Sequence, residues 1–301
     1  MDTDALNHYV ANERKALSRA ITIQTCVGIA SVVLMLFSFL TGAVQQGFGL
    51  FFLALIINVG LYIMYTHSCT KRYRSKVKDY IMLEVFSREF NGVSFNPQSG
   101  LGKDLMIETG VIDTGNRFSS NDLMKGNYKG VDFERCDVLS QNVQQSGKTT
   151  TTITYFKGQV YVFDFHKPSH NYVRIRDAGM WNKFSKGRRT DGSRKMKFED
   201  TEFNEMFVTF SNDEHEAFYI FTPHFMNKVK QLRQAVGCEI SLVIRKGILY
   251  LALYTSRDSF EAPLFGEIDI DYTRAVAMDV RVIKEIITEL DLDNTLFKEE
   301  T

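Results

Sequence analysis

Residues 20–70 read AITIQTCVGIASVVLMLFSFLTGAVQQGFGLFFLALIINVGLYIMYTHSCT, a run of 51 positions without one Asp, Glu, Lys or Arg. Two apolar blocks lie inside it, Ile21–Val44 and Phe48–Tyr65. A helix rises 1.5 Å per residue, so crossing the ~30 Å hydrocarbon core takes about 20 residues. The first block exceeds that length and the second reaches it by extending a residue or two. A soluble helix carries a polar stripe; here Gln24, Thr25 and Asn58 are only interruptions. The residues before the first block hold Asp2, Asp4 and Glu13, unlike the basic start of a signal peptide, and the block is longer than a signal's apolar core. The tract therefore predicts a transmembrane helical hairpin, about 21–44 and 48–66, linked by Gln45-Gln46-Gly47. Small residues at Gly28, Ala30, Ser31, Gly49, Ala54 and Gly60 are candidates for close helix approach.

The flanks set an orientation. Arg14, Lys15 and Arg19 precede the first block, and Lys71, Arg72, Arg74, Lys76 and Lys78 follow the second, while the linker is uncharged. Basic residues stay on the cytosolic side, which predicts both ends in the cytosol, as a two-span hairpin requires. Residues 1–19 and 71–92 are expected to be cytosolic helical extensions that pack together. Leu6, Tyr9, Val10 and Leu17 recur at helical spacing in one, and Val77, Ile81, Val85, Phe86 and Phe90 in the other. Asn96-Pro97 and Ser99-Gly100 are expected to end the second.

The pattern changes in 93–301, which is expected to be one cytosolic α+β domain with a mainly antiparallel sheet and flanking helices. Val131–Leu139 and Thr149–Phe165 are rich in β-branched and aromatic residues, and Lys157-Gly158 is a turn signal within the latter. A hairpin is predicted over 239–254 about Lys246-Gly247. It sets Ile244 opposite Leu249, Leu242 opposite Leu251 and Ile240 opposite Leu253, so that one face is wholly aliphatic. Thr222-Pro223 starts a helix carrying Phe225, Val229, Leu232 and Val236, and Gly237 stops it. Val276, Val280, Ile283, Ile287 and Leu290 mark another amphipathic helix.

Charge is balanced, with 36 basic and 36 acidic residues, but unevenly spread. Residues 99–198 hold 17 basic and 10 acidic side chains, and 199–301 hold 10 and 20. The four cysteines, Cys26, Cys69, Cys136 and Cys238, are scattered without a CxxC, as expected of reduced cytosolic thiols. Ser146-Gly147-Lys148-Thr149 resembles the end of a phosphate loop, but the earlier glycine is missing and a strand, not a helix, is expected to follow. His166 and His170 flank Pro168 in a loop, and His215 and His224 are distant in sequence, so no metal site is expected. The acidic pairs Asp269/Asp271 and Asp291/Asp293 read as helix caps. The basic run 183–197 (KFSKGRRTDGSRKMK) reads as a surface loop, with Lys183, Lys186, Arg188, Arg189, Arg194, Lys195 and Lys197 available for an anionic surface.

Several stretches together resemble the DUF3137 family of bacterial membrane proteins. They are FNPQSG at 95–100, the run ETGVIDTGNRFSSNDLMKGNYKGVDFERCDV at 108–138 and FKGQVYVFDFHK at 156–167. Further on come FEDTEFNEMFVTFSNDEHEAFYIFTPHFMNKVKQL at 198–232 and GILYLALYTSRDSFEAPLF at 247–265, with Leu290-Asp291-Leu292-Asp293 near the end. The resemblance covers about two-thirds of the chain. It implies a membrane protein with no assigned reaction, cofactor or catalytic residue, and an association with LemA-like membrane proteins. Phe203, Phe207, Phe210, Tyr219 and Phe221 read as core in this framework. Two functions are expected in turn. One is a non-enzymatic binding or scaffolding module tethered to the bacterial inner membrane; the other is a sensor of anionic lipid through the 183–197 loop. The lipid bilayer is the expected partner, and nucleic acid is not.

Overall fold

The structure is a computed structural model that describes residues 2–42, 44–147, 149–164, 172–179, 192–257, 260–290 and 292. The fold is α+β, with long apolar helices first and an antiparallel sheet with flanking helices after them. Two compact units divide the chain. One holds residues 1–85 and 260–277, the other 86–259 and 278–301.

In the first unit α1 (Thr3–Tyr9) is capped by the Asp2 side chain, which accepts from the Asp4 and Ala5 amides. Val10 breaks the helix, and α2 then runs without interruption from Ala11 to Leu40. α3 (Val44–Leu61) continues through a π turn at Tyr62–Thr66 into α4 (His67–Ile81). A second π turn at Met82–Phe86 closes this stretch, and a last helical turn, α5 (Ser87–Glu89), belongs to the second unit. The two long helices, Ala11–Leu40 and Gly47–Glu89, are long and apolar enough to cross a membrane, and their apolar windows are almost wholly unburied.

The turn between them falls earlier than expected. Thr41-Gly42 ends α2, with Gly42 at φ +74°, and Gln45-Gln46-Gly47 is already helical. Glutamine is a good helix former, and the left-handed conformation that stops a helix is supplied by Gly42 instead. The close approach also uses other residues. A Cβ on Gly47 would lie 1.7 Å from the Ser38 Oγ, and one on Gly28 3.6 Å from the Asn58 Nδ2, but Gly49 and Gly60 face nothing within 4 Å. The polar interruptions pair across the hairpin. Asn58 Nδ2 donates to the Gln24 carbonyl (3.0 Å), and Thr66 Oγ1 donates to Gln24 Oε1 (3.0 Å). In an apolar surround each removes an otherwise unsatisfied group.

The helical extensions of the hairpin do pack together: the Tyr9 and Tyr80 rings sit 5.2 Å apart, and Lys76 lies over Tyr9. Residues 260–277 join the same unit. Asn7 forms a two-way amide pair with the Ile268 backbone (2.9 and 3.0 Å), Arg14 pairs with Glu267 (3.0 Å), and Arg74 and Lys78 both reach Glu261 (3.1 and 3.8 Å).

In the second unit the strands are β1 (Asn91–Asn96), β2 (Arg117–Tyr128), β3 (Val131–Ser146), β4 (Thr149–Asp164), β5 (Tyr172–Asp177), β6 (Arg194–Met196), β7 (Phe207–Ser211), β8 (Ile240–Arg245) and β9 (Ile248–Leu253). They form one antiparallel sheet ordered β1-β2-β3-β4-β9-β8-β5-β7-β6. The helices are α6 (Lys103–Thr109), α7 (Thr201–Met206), α8 (Glu214–Ile220) and α9 (Pro223–Val236). α10 (Ile270–Glu289) ends the described helices; its residues 270–277 belong to the first unit and the rest to the second, and Asp269 caps it by accepting from the Tyr272 amide.

The β8–β9 hairpin has the expected register: Ile240↔Leu253, Leu242↔Leu251 and Ile244↔Leu249, all at most 2% exposed. Lys246 and Gly247 turn at φ +51° and +70°, the geometry that suits the strands' right-handed twist. The helix after Thr222-Pro223 is equally as expected, with Thr222 Oγ1 accepting from the Phe225 amide and Gly237 in the left-handed conformation at its end.

Other expectations fail for identifiable reasons. Lys157-Gly158 makes no hairpin; β4 runs straight through it, paired with Leu139 and Val138 of β3. Gly158 is there because a Cβ would meet the Leu253 carbonyl oxygen at 2.0 Å. Asn96-Pro97 does not end the second helical extension either. That helix stops at Glu89, and the missed strand β1 occupies the interval. Tyr219 is 58% exposed on α8, while Phe203, Phe207, Phe210 and Phe221 are buried.

Candidate functional site

The basic run divides. Arg194 and Lys195 belong to β6, which among the described residues is an edge strand paired only with β7, and Lys197 follows it; all three are exposed while Met196 is buried. A three-residue edge strand carrying charges resists pairing with another chain. Lys183, Lys186, Arg188 and Arg189 lie outside the described residues, as do His166, His170, Asp291 and Asp293. His215 and His224 stand exposed on α8 and α9. Among the described residues no group of three His, Cys, Asp or Glu is arranged to hold a metal. The phosphate-loop look-alike is the β3–β4 hairpin tip: Ser146 pairs with Thr149, and a strand follows.

The chemistry gathers elsewhere. A cleft of about 300 Å³ opens beside β4 and β9, lined by Gln159, Tyr161, Cys238, Thr255, Arg257 and Asp279 among others. From its floor, Gln159 and Thr255, a chain of polar contacts runs inward to Asp137 and Arg135, which lie behind the cleft lining. The Thr255 hydroxyl donates to Gln159 Oε1 (2.8 Å), and Gln159 Nε2 donates to Asp137 Oδ1 (3.0 Å) and the Arg257 carbonyl (3.3 Å). Arg135 Nη2 donates to the same Asp137 oxygen (2.9 Å). At the rim Arg257 Nη2 donates to Asp279 Oδ1.

Strand geometry builds this floor. Residues two apart share a face, so Arg135 and Asp137 stand side by side on β3, and Tyr161 and Gln159 are their register partners on β4. The Arg135 side chain is fully buried and Asp137 nearly so. Burial opposes the Arg135 charge, yet the nearby Asp137 and Asp279 carboxylates outweigh it and hold the guanidinium above its ordinary pKa. Burial pushes the Tyr161 phenol up, against the opposing pull of Arg135. Burial likewise pushes the Cys238 thiol up, so the reactive thiolate is disfavoured. The arrangement offers a ligand the Gln159 amide and the Thr255 hydroxyl, held in fixed geometry with Asp137 behind them, and a guanidinium at the rim held in place by a carboxylate.

A second charged group serves the framework. Arg176 donates to both Asp113 oxygens (2.9 and 3.3 Å), Arg174 Nη1 to the Gly110 carbonyl (3.0 Å) and the Tyr172 hydroxyl to the Thr109 carbonyl (3.0 Å). These contacts bind the ETGVID stretch to β5, over a core that includes Met106, Val111, Val160 and Val243.

The sequence pattern of the family described as "Protein of unknown function (DUF3137)" matches residues 154–292. Over those residues the chain is similar to the DUF3137 family. The matched segment takes in β4 from Thr154 onward, the strands β5–β9, the helices α7–α10 and the cleft lining named above; Arg135 and Asp137 precede it. The match is shorter than the resemblance in the sequence implied, since the stretches at 95–100 and 108–138 fall outside it. A solved structure, that of the mycobacterial trehalose monomycolate transport factor A, TtfA, is similar at 10% identity, covering 71% of this chain and 96% of that one, with a TM-score of 0.37. A likeness at that score says nothing of function. No curated protein matches in sequence.

The cleft floor was missed by motif reading because no catalytic or metal pattern has this form. The available signal was Arg135 and Asp137, opposite charges two apart on the strand face that otherwise carries Val131, Phe133 and Leu139. On one strand face such a pair is either exposed or deliberately buried.

Proposed function

We propose that this is a two-span protein of the bacterial inner membrane, with both ends of the hairpin and the DUF3137 domain in the cytosol, and that the domain is a non-enzymatic binding module which engages its partner at the cleft. The observation that carries the reading is the outward face of the hairpin. Phe37, Leu40, Ile56 and Met64 are 62, 86, 67 and 81% exposed, amid a shell of similar side chains. Soluble monomers rarely expose an apolar patch beyond a few hundred Å². The basic residues on both flanks and the uncharged turn support the orientation. A fixed polar floor with a disfavoured thiolate supports recognition in preference to covalent chemistry.

The test is purification of the intact chain from mild detergent, beside an Arg257→Glu variant, with mass spectrometry of companions. A companion held by the wild type and lost from the variant supports the reading; LemA-like membrane proteins are the first to look for. Identical recovery from both, or the chain alone from both, counts against it.

A second reading, sensing of anionic lipid through 183–197, is favoured by the exposure of Arg194, Lys195 and Lys197. Its test is amide hydrogen exchange of that stretch in the intact chain. Exchange slows in nanodiscs containing phosphatidylglycerol relative to phosphatidylcholine alone; equal exchange sinks it.

A further inference from the structure

Within the first unit the segment 264–267 (Leu-Phe-Gly-Glu) stands beside the start of α2 and closes a groove of about 420 Å³. One side is Arg14, Lys15, Ser18, Ile21 and Thr22 of α2; the other is Leu264, Phe265, Gly266 and Glu267. The groove is graded along the helix. Arg14 and Lys15 lie at one end, hydroxyls of Ser18 and Thr22 follow, and Ile21 with Leu264 and Phe265 supplies apolar wall. The charge-free tract begins at Ala20, inside this interval.

The dimensions fit a membrane interface. From Arg14 to Ile21 is seven residues, or about 10 Å of helix axis. The polar zone of one leaflet is about 5–8 Å deep, half the difference between total and hydrocarbon thickness. A groove of that length, basic at the cytosolic end and apolar at the other, therefore spans the headgroup layer and reaches the upper acyl chain. Phe265 is 73% exposed, although it sits at the tip of a turn that Gly266 makes at φ +79°. An unburied phenylalanine at this level finds its apolar surround in lipid.

We propose that this groove is a phospholipid site, and that the 264–266 turn dips into the cytosolic leaflet as a third membrane contact beside the two spans. The occupant is an anionic phospholipid. Its phosphate lies against Lys15 and Arg14, its glycerol region meets Ser18 and Thr22, and its first acyl methylenes lie against Ile21, Leu264 and Phe265. The charge balance selects an anionic headgroup: Arg14 is paired with Glu267 at 3.0 Å, which leaves Lys15, exposed and with one positive charge, as the net excess. The Arg14–Glu267 pair, together with the Asn7–Ile268 amide pair, fixes the wall of the groove and so the depth of Phe265. The proposal rests on the membrane reading above and adds a site to it.

The experiment uses the intact chain in vesicles, with a tryptophan reporter on the turn: Phe265→Trp in a Trp181→Phe background, since Trp181 is the chain's one tryptophan. The vesicles contain phosphatidylcholine and phosphatidylglycerol, and either one or the other carries bromine high on its acyl chain. The expected result is blue-shifted emission, protection from iodide, and stronger quenching when the bromine is on phosphatidylglycerol. About fivefold enrichment of the anionic lipid is expected, which corresponds to the ~1 kcal/mol of one basic residue near a charged leaflet. Lys15→Gln removes the enrichment and keeps the blue shift. Equal quenching by the two brominated lipids overturns the headgroup assignment, and water-like emission open to iodide overturns the whole site. Resistance of the same sample to alkaline carbonate is measured in parallel. Retention with water-like emission refutes this site alone, whereas release by carbonate refutes the membrane reading beneath it.

Discussion

Replacing Asp137 by alanine should cost the protein a large part of its stability. Asp137 Oδ1 accepts from both Arg135 Nη2 (2.9 Å) and Gln159 Nε2 (3.0 Å), and the Arg135 side chain is fully buried. Removing one partner of a buried ion pair leaves a desolvated charge, at a cost of about 3–5 kcal/mol. Domains are stable by only about 5–15 kcal/mol in total. For a domain near 200 residues each kcal/mol moves the midpoint by about 2–4 °C, so the shift should be roughly 10 °C. Arg135→Met combined with Asp137→Leu removes both charges, and its cost should stay within about 1–2 kcal/mol, because apolar replacement of a whole buried pair is commonly tolerated. The assay is thermal unfolding of the detergent-solubilised intact chain, followed by near-ultraviolet circular dichroism. A shift below about 2 °C for Asp137→Ala, or a double variant as unstable as the single one, would refute the reasoning, since the penalty is assigned to the loss of the carboxylate beside the buried Arg135 charge and not to lost volume.

Asp200 accepts from the Phe203 amide at the start of α7 and binds Lys230 (3.0 Å), contacts that hold its carboxyl below the ordinary value. A depressed folded-state pKa gives stability that is full above the unfolded value near 4 and fades as pH falls through the folded one. Asp200→Ala should therefore cost about 1 kcal/mol at neutral pH, and the gap from wild type should close in acid; a gap that is constant with pH contradicts this. Gly247→Val puts a β-branched side chain at φ +70° and should lower stability by at least about 1–2 kcal/mol in the same melting assay. Gly158→Ala should be no milder, because its Cβ meets a backbone carbonyl that only a shift of β9 can move aside; an unchanged midpoint would show that β4 and β9 part easily.

What the sequence made legible follows from which forces act locally. The β8–β9 hairpin could be read residue by residue because alternating aliphatic positions and a Lys-Gly turn specify both face and register. Thr222-Pro223 and Gly237 likewise carry cap chemistry that depends on a few neighbours. Gly158 misled for the opposite reason. Its glycine answers to the Leu253 carbonyl, about a hundred positions later, and nothing nearby distinguishes that demand from a turn. Strand β1 was hidden between a helix end and Asn96-Pro97, where it is held by pairing with β2 and not by its own composition. The candidate site shows the same division. Arg135, Asp137, Gln159, Arg257 and Asp279 come from strands β3 and β4, the chain after β9, and α10. Their meeting is a property of strand order β3-β4-β9 and of the helix packed beside it. The exposed basic side chains of β6 were visible as charge but not as a strand edge.

The hairpin's place in the bilayer decides the account, and side-specific labelling tests it directly. A single cysteine is introduced as Thr41→Cys, at the turn between α2 and α3, in a chain whose four native cysteines are replaced. Intact cells with a permeable outer layer are then treated with a membrane-impermeant maleimide. The account predicts labelling at position 41 from outside, and at Lys195→Cys in the same background only after the cells are broken. Labelling of Lys195→Cys from outside, or protection of Thr41→Cys until lysis, would contradict it.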